Sequence, residues 1–176
     1  MKNFAIIIVM LTCLQANAQD ATYTESIEWI KGKLENFKFQ DYTNIGVRNR
    51  WKYDDYYSYE LVSYDDCKLT LIETHRHVTQ QSTTANDYTH KRKITFYLRD
   101  LKSITHSSSY DREGFTIKTL NNEKLIQVEN HYGTTTVEDS FWIRADNLGE
   151  INGEPDRFIK AFKHAMSLCG AQEEKF

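Results

Sequence analysis

The sequence predicts an α+β fold, an antiparallel sheet of six to seven strands with an N-terminal helix and a C-terminal amphipathic helix. Three observations carry that expectation. Apolar residues recur at helical spacing near both ends, from Thr22 to Phe37 and from Pro155 to Cys169. Between them, from about Tyr56 to Arg144, apolar and polar residues alternate with a period of two. The alternating runs are joined by connections shorter than the dozen or more residues that a parallel crossover needs, so the strands pair antiparallel.

The chain opens with an address. Met1-Lys2-Asn3 is a short positive head, Phe4 to Leu14 is almost wholly apolar, and Gln15-Ala16-Asn17-Ala18 supplies the small-x-small pattern read by a signal peptidase. This predicts a secretory signal peptide over residues 1–18, a single domain over 19–176, and a secreted or periplasmic location. The apolar run is shorter than the roughly 20 residues that span a bilayer. Lipidation of Cys13 is disfavoured, because Thr12 and Met10 stand where lipoprotein processing wants a small and a Leu-like residue.

Thr22 and Glu25 have the spacing of a capping box, and Ile27, Ile30, Leu34 and Phe37 follow on one helical face. Trp29 widens that stripe, Glu28, Lys31, Lys33 and Glu35 face solvent, and Gly32 costs about 1 kcal/mol relative to Ala. Strand patterns follow at 57–61, 67–71, 94–98, 115–118, 125–128 and 141–144, with Asn121-Asn122 predicting a hairpin turn between the fourth and fifth. Pro155 fits the first turn of the last helix, whose stripe comprises Phe158, Ile159, Phe162, Ala165, Met166 and Cys169 before a stop at Gly170.

Composition excludes several classes. Of 176 residues, 22 are Lys or Arg and 25 Asp or Glu, a net charge of −3 with no basic footprint for nucleic acid. Without residues 1–18 the balance is 21 basic against 25 acidic, or −4. Apolar residues at 40% and charged residues at 27% are ordinary for a globular domain. No second long apolar segment offers a transmembrane helix, and neither a Walker loop nor a dinucleotide fingerprint is present.

Two resemblances follow from these residues. About seven antiparallel strands closed by one C-terminal helix resemble a pleckstrin-homology-like barrel, and an open sheet with helices on one face, similar to the cystatin class, is the alternative. The stretch Arg157-Phe158-Ile159-Lys160-Ala161-Phe162-Lys163-His164-Ala165, with Leu168-Cys169-Gly170 and the closing Glu174-Lys175-Phe176, resembles the tail of uncharacterised secreted bacterial proteins. Those share a signal peptide, a strand-rich middle and a terminal helix, a resemblance that implies no activity.

Candidate chemistry is sparse. Cys67 and Cys169 both lie at apolar positions, so in an oxidising compartment they either bond to each other or remain two small buried thiols. His75 and His77 emerge on one face of a strand, the way two imidazoles converge on a metal, with His90 or Glu73 as a third ligand; the alternative is a polar strand end beside a hairpin loop. Five tyrosines fall within residues 53–64 beside Trp51, and alternation places Tyr57 and Tyr59 on one face with Tyr56 on the other. Asp54-Asp55 and Asp65-Asp66 read as solvated turns, and His90-Lys91-Arg92-Lys93 as a charged strand end that discourages edge pairing. No nucleophile elbow frames Ser107-Ser108-Ser109.

The expected function is therefore a secreted, non-enzymatic binding domain. It would contact an unidentified protein or small ligand of the envelope through Trp51, Tyr57 and Tyr59, without a cofactor. The alternative is a small metal-binding protein or metal-dependent enzyme built on His75 and His77.

Overall fold

The computed structural model describes residues 21–37, 39–45, 51–81, 84–109, 112–145 and 154–171, so the leader at 1–18 with Cys13, and the closing Glu174-Lys175-Phe176, lie outside the described residues. The class is α+β, with two helices, α1 (Tyr23–Leu34) and α2 (Glu154–Leu168). Nine strands are present among these residues: β1 (Phe39–Ile45), β2 (Trp51–Ser63), β3 (Lys68–Gln81), β4 (Thr84–Tyr97), β5 (Leu101–Ser109), β6 (Arg112–Thr119), β7 (Ile126–Glu129), β8 (Thr135–Glu138) and β9 (Ser140–Arg144). They form two antiparallel sheets, of order β1-β2-β3-β4-β7-β8 and β5-β6-β9, with no closed barrel among the described residues. The count exceeds the expected six to seven because β1, β5 and β8 carry little apolar alternation, the signal by which a strand is read.

Helix α1 starts as its sequence dictates. The Thr22 hydroxyl accepts from the Glu25 amide while Glu25 Oε2 accepts from the Thr22 amide at 2.8 Å, completing the capping box. Ile27, Ile30, Leu34 and Phe37 are all buried. Helix α2 ends in a Schellman motif: Gly170, at φ +77, lets its own amide reach the Ser167 carbonyl and the Ala171 amide reach that of Met166. Its stripe buries Phe158, Phe162, Ala165 and Met166, with Phe158 packed against Trp29, Phe37 and Phe115.

One core joins both helices to both sheets, with Leu61, Leu71, Ile94 and Phe96 from the larger sheet and Ile104, Phe115, Ile117 and Ile143 from the smaller. The disulfide Cys67–Cys169 staples the end of α2 to the β2–β3 connection. Cys67 does not belong to the strand that its alternation suggested. It closes a single 3-10 turn, Asp65–Cys67, where Asp66 and Cys67 both take left-handed φ values of 51° and 60°, and β3 begins one residue later.

The hairpin expected at Asn121-Asn122 does not form. Both residues have left-handed φ, as a tight turn requires, yet β6 pairs with β5 and β9 whereas β7 pairs with β4 and β8, so the chain passes here from one sheet to the other. Thr119, fully buried, pins the crossing: its amide bonds the Asp139 carbonyl, and its hydroxyl lies within 2.5 Å of the Glu123 carbonyl. A local turn propensity cannot specify which sheet receives the next strand.

Candidate functional site

Strands β2, β3 and β4 are 13 to 14 residues long, and their cross-strand register builds one face as a ladder of rows. The row Leu61–Leu71–Ile94 lies in the core. The next rows are Tyr59–Glu73–Arg92, then Tyr57–His75–His90, then Asp55–His77–Tyr88. Apolar packing therefore gives way, within about three rows, to a cluster of ionisable groups on a rigid three-stranded platform. Residues two apart on a strand share a face, which is why each row inherits the parity of the last.

At the far end of this ladder three side chains converge. Asp55 Oδ1 lies 2.7 Å from His75 Nε2 and 2.6 Å from His77 Nδ1. All three donor atoms lie within 4.8 Å of one another. The opposite nitrogen of His77 sits 2.9 Å from the Thr79 hydroxyl, which can donate to it or accept from it as the ring tautomer requires. Partial burial is the largest single influence on Asp55 and raises its carboxyl pKa. The hydrogen bonds and charge of His75 and His77 together outweigh it and hold the group below the usual carboxylate range.

Four of the six histidines of the chain gather here. The His90 ring centroid is 6.4 Å from that of His75 and 4.2 Å from that of His131, in the turn after β7. Desolvation first, then the like charges of His131, His75 and His77, keep the His90 pKa below the ordinary imidazole value. One row nearer the core, Glu73 is 1% exposed and receives both Nε and a terminal nitrogen of Arg92 on its Oε1, at 2.8 and 2.6 Å.

The structure thus brings His75 and His77 together as expected, and places their third partner where the sequence reading had a turn. Asp54-Asp55 is not a turn but the middle of β2, with Asp55 paired to His77 across the ladder. Glu73 shares the face but is bound to Arg92, and His90 lies beside the triad without a described hydrogen bond at Nδ1. The segment His90-Lys91-Arg92-Lys93 is likewise interior to β4, which pairs with β3 along this whole run and with β7 only from Lys93 onward, and within it Arg92 and Lys93 make ion pairs with Glu73 and Glu129.

The tyrosines are distributed differently from a free aromatic platform. Tyr59 is 4% exposed, and its hydroxyl accepts the Arg144 amide at 2.8 Å. The Tyr57 ring stacks on His75 at 4.3 Å with 4° between planes, and the Arg144 guanidinium lies 4.0 Å from its centroid. Trp51 opens β2, and its side chain lies outside the described residues. Arg144 ends β9 of the other sheet, and nothing local in its sequence marks it as a site residue, because only the packing of two sheets brings it to this face. Compared with protein families, curated proteins and solved structures, the chain finds no match.

Proposed function

We propose that this chain is a secreted metal-binding domain that holds a divalent transition ion, Zn²⁺ being the best fit, through Asp55, His75 and His77. The convergence of two imidazole nitrogens on one carboxylate oxygen carries the reading. Two histidines and a carboxylate form a three-ligand set that zinc accepts, leaving a fourth position for water or an exogenous group. Donor atoms around tetrahedral zinc stand about 3.3 Å apart, so each hydrogen-bonded contact has to lengthen by roughly 0.6 Å as the ion replaces the shared protons. Thr79 supports such a change, since its hydroxyl can accept from His77 once the other nitrogen binds metal, an outer contact that fixes the ring.

Export is part of the same proposal. The leader pattern at residues 1–18 supports it, and a disulfide is the chemistry of an oxidising compartment. Binding through Trp51, Tyr57 and Tyr59 draws less support from the geometry, with Tyr59 buried and the Tyr57 ring covered. The test is elemental analysis of protein loaded with Zn²⁺ and then dialysed. Wild type should retain one equivalent, and the double variant His75→Ala/His77→Ala none. Equal retention by both, or none by wild type, overturns the assignment.

A further inference from the structure

Beside the triad, with His75 as the shared wall, lies an open pocket of about 220 Å³ lined by Tyr57, Glu73, His75, His90, Arg92 and Arg144. We infer that it is a second binding site, one that takes a small oxyanion bearing its own O–H donor, such as an α-hydroxycarboxylate or hydrogen phosphate.

Size comes first. Pockets for drug-sized ligands run from about 300 Å³ upward, so this one suits a ligand of a handful of heavy atoms. Charge comes next. The lining carries two guanidinium groups and one carboxylate, an excess of one positive charge. Arg92 is committed to Glu73, whereas no described carboxylate pairs with Arg144, whose guanidinium lies over the rings of Tyr57 and Trp142. A guanidinium over aromatic rings spends none of its N–H donors on a carboxylate, which leaves them to take a bidentate oxyanion.

The decisive feature is at Glu73. Both nitrogens of Arg92 fall on Oε1, and Oε2 is buried with no hydrogen-bond partner among the described residues. A buried acceptor without a donor is costly. Glu73 is the most buried residue of the lining. A simple anion would be repelled by this carboxylate, while an anion that also presents an O–H would satisfy it once the side chain turns Oε2 into the pocket. His90 Nδ1, also buried and without a described partner, offers a further polar contact. The combination therefore selects for a ligand that accepts at Arg144 and donates at Glu73.

The site needs no metal, so it can be tested on protein stripped with EDTA, and the outcome is independent of whether Asp55, His75 and His77 hold an ion. Calorimetric titrations at neutral pH would compare glycolate with acetate and phosphate with sulfate. Within each pair the anionic group has the same geometry and only one member presents an O–H, glycolate adding a hydroxyl to acetate and phosphate at neutral pH keeping a proton that sulfate lacks. The two pairs separate carboxylic from phosphoric ligands. Because a hydrogen bond to a charged group is at stake, glycolate or phosphate should bind about ten- to a hundredfold more tightly than its partner. Glu73→Gln, which replaces an acceptor with an N–H, should shrink that preference and raise affinity for acetate and sulfate. Arg144→Gln should weaken all binding about tenfold, and it keeps the test alive if Glu73→Gln fails to fold. Equal affinities within both pairs, no binding of any of the four at millimolar concentration, or unchanged affinity in Arg144→Gln would overturn the inference.

Discussion

Replacing Cys67 and Cys169 together by Ala removes a cross-link between residues 102 apart in sequence. In the chain-entropy account, a loop of that size withholds about 16 cal/mol/K from the unfolded ensemble, or about 4.7 kcal/mol at 25 °C. The folded state loses little by comparison, because both cysteines are only half-buried and an alanine keeps the β-carbon at each site. Nothing else in the native structure depends on the bond: α2 is held by Phe158, Phe162, Ala165 and Met166 in the common core. The variant should keep a native circular dichroism spectrum in buffer yet unfold at lower urea. With a slope of about 2 kcal/mol/M for a domain of this size, the midpoint should fall by roughly 2 M. The slope itself should rise, since an unlinked denatured chain exposes more surface. A midpoint within about 0.3 M of wild type, followed by tryptophan fluorescence under two-state conditions, would refute the loop-entropy reasoning.

Four further outcomes follow from the packing and the site. Asp55→Asn should lower zinc affinity by about ten- to a hundredfold while leaving the fold intact, read by competition with a chromogenic chelator. Gly114→Ala should cost more than about 2 kcal/mol, because its added carbon would stand 2.2 Å from the Ile143 carbonyl and 2.7 Å from Trp142 Nε1, and it should also disturb Arg144, which pairs with Gly114 across β6 and β9. Phe158→Ala should cost about 3–5 kcal/mol by urea unfolding, since the ring is fully buried among Trp29, Phe37, Phe115 and Phe162. In metal-free protein His90, faced by His131, His75, His77 and Tyr88, has a folded pKa below its unfolded value of about 6.5. The unfolded chain then binds the extra proton, stability falls as pH drops through that window, and His90→Gln should flatten the slope; an identical pH profile would discard the assignment.

The parts of this molecule legible in its sequence are those set by neighbours along the chain. Thr22 and Glu25 announce the start of α1, and the spacing from Phe158 to Cys169 announces α2, because caps and stripes need only three or four residues of context. The face shared by His75 and His77 was likewise readable, since parity on a strand is local. Asp55 was not, for a physical reason: two adjacent aspartates favour turns on propensity, and only pairing with β3 on one side and β1 on the other keeps them extended. The polar ends of β3 and β4 were hard to read on the same account, because strands that are hydrophilic on both faces leave no alternation to count.

The sequence by itself determined the class, the two helices, the antiparallel pairing and the shared face of His75 with His77 and of Tyr57 with Tyr59, all consequences of short-range sterics and hydrophobic periodicity. Tertiary structure decided which strands share a sheet, that Asn121-Asn122 marks a crossing rather than a hairpin, and that Asp55 meets two histidines 20 and 22 residues away. It also decided that Arg144 faces Tyr57 and Glu73 from a different sheet. Those outcomes depend on register and on burial of a common core. Both are properties of the assembled chain, because the energy that selects them is released only when distant segments leave water together.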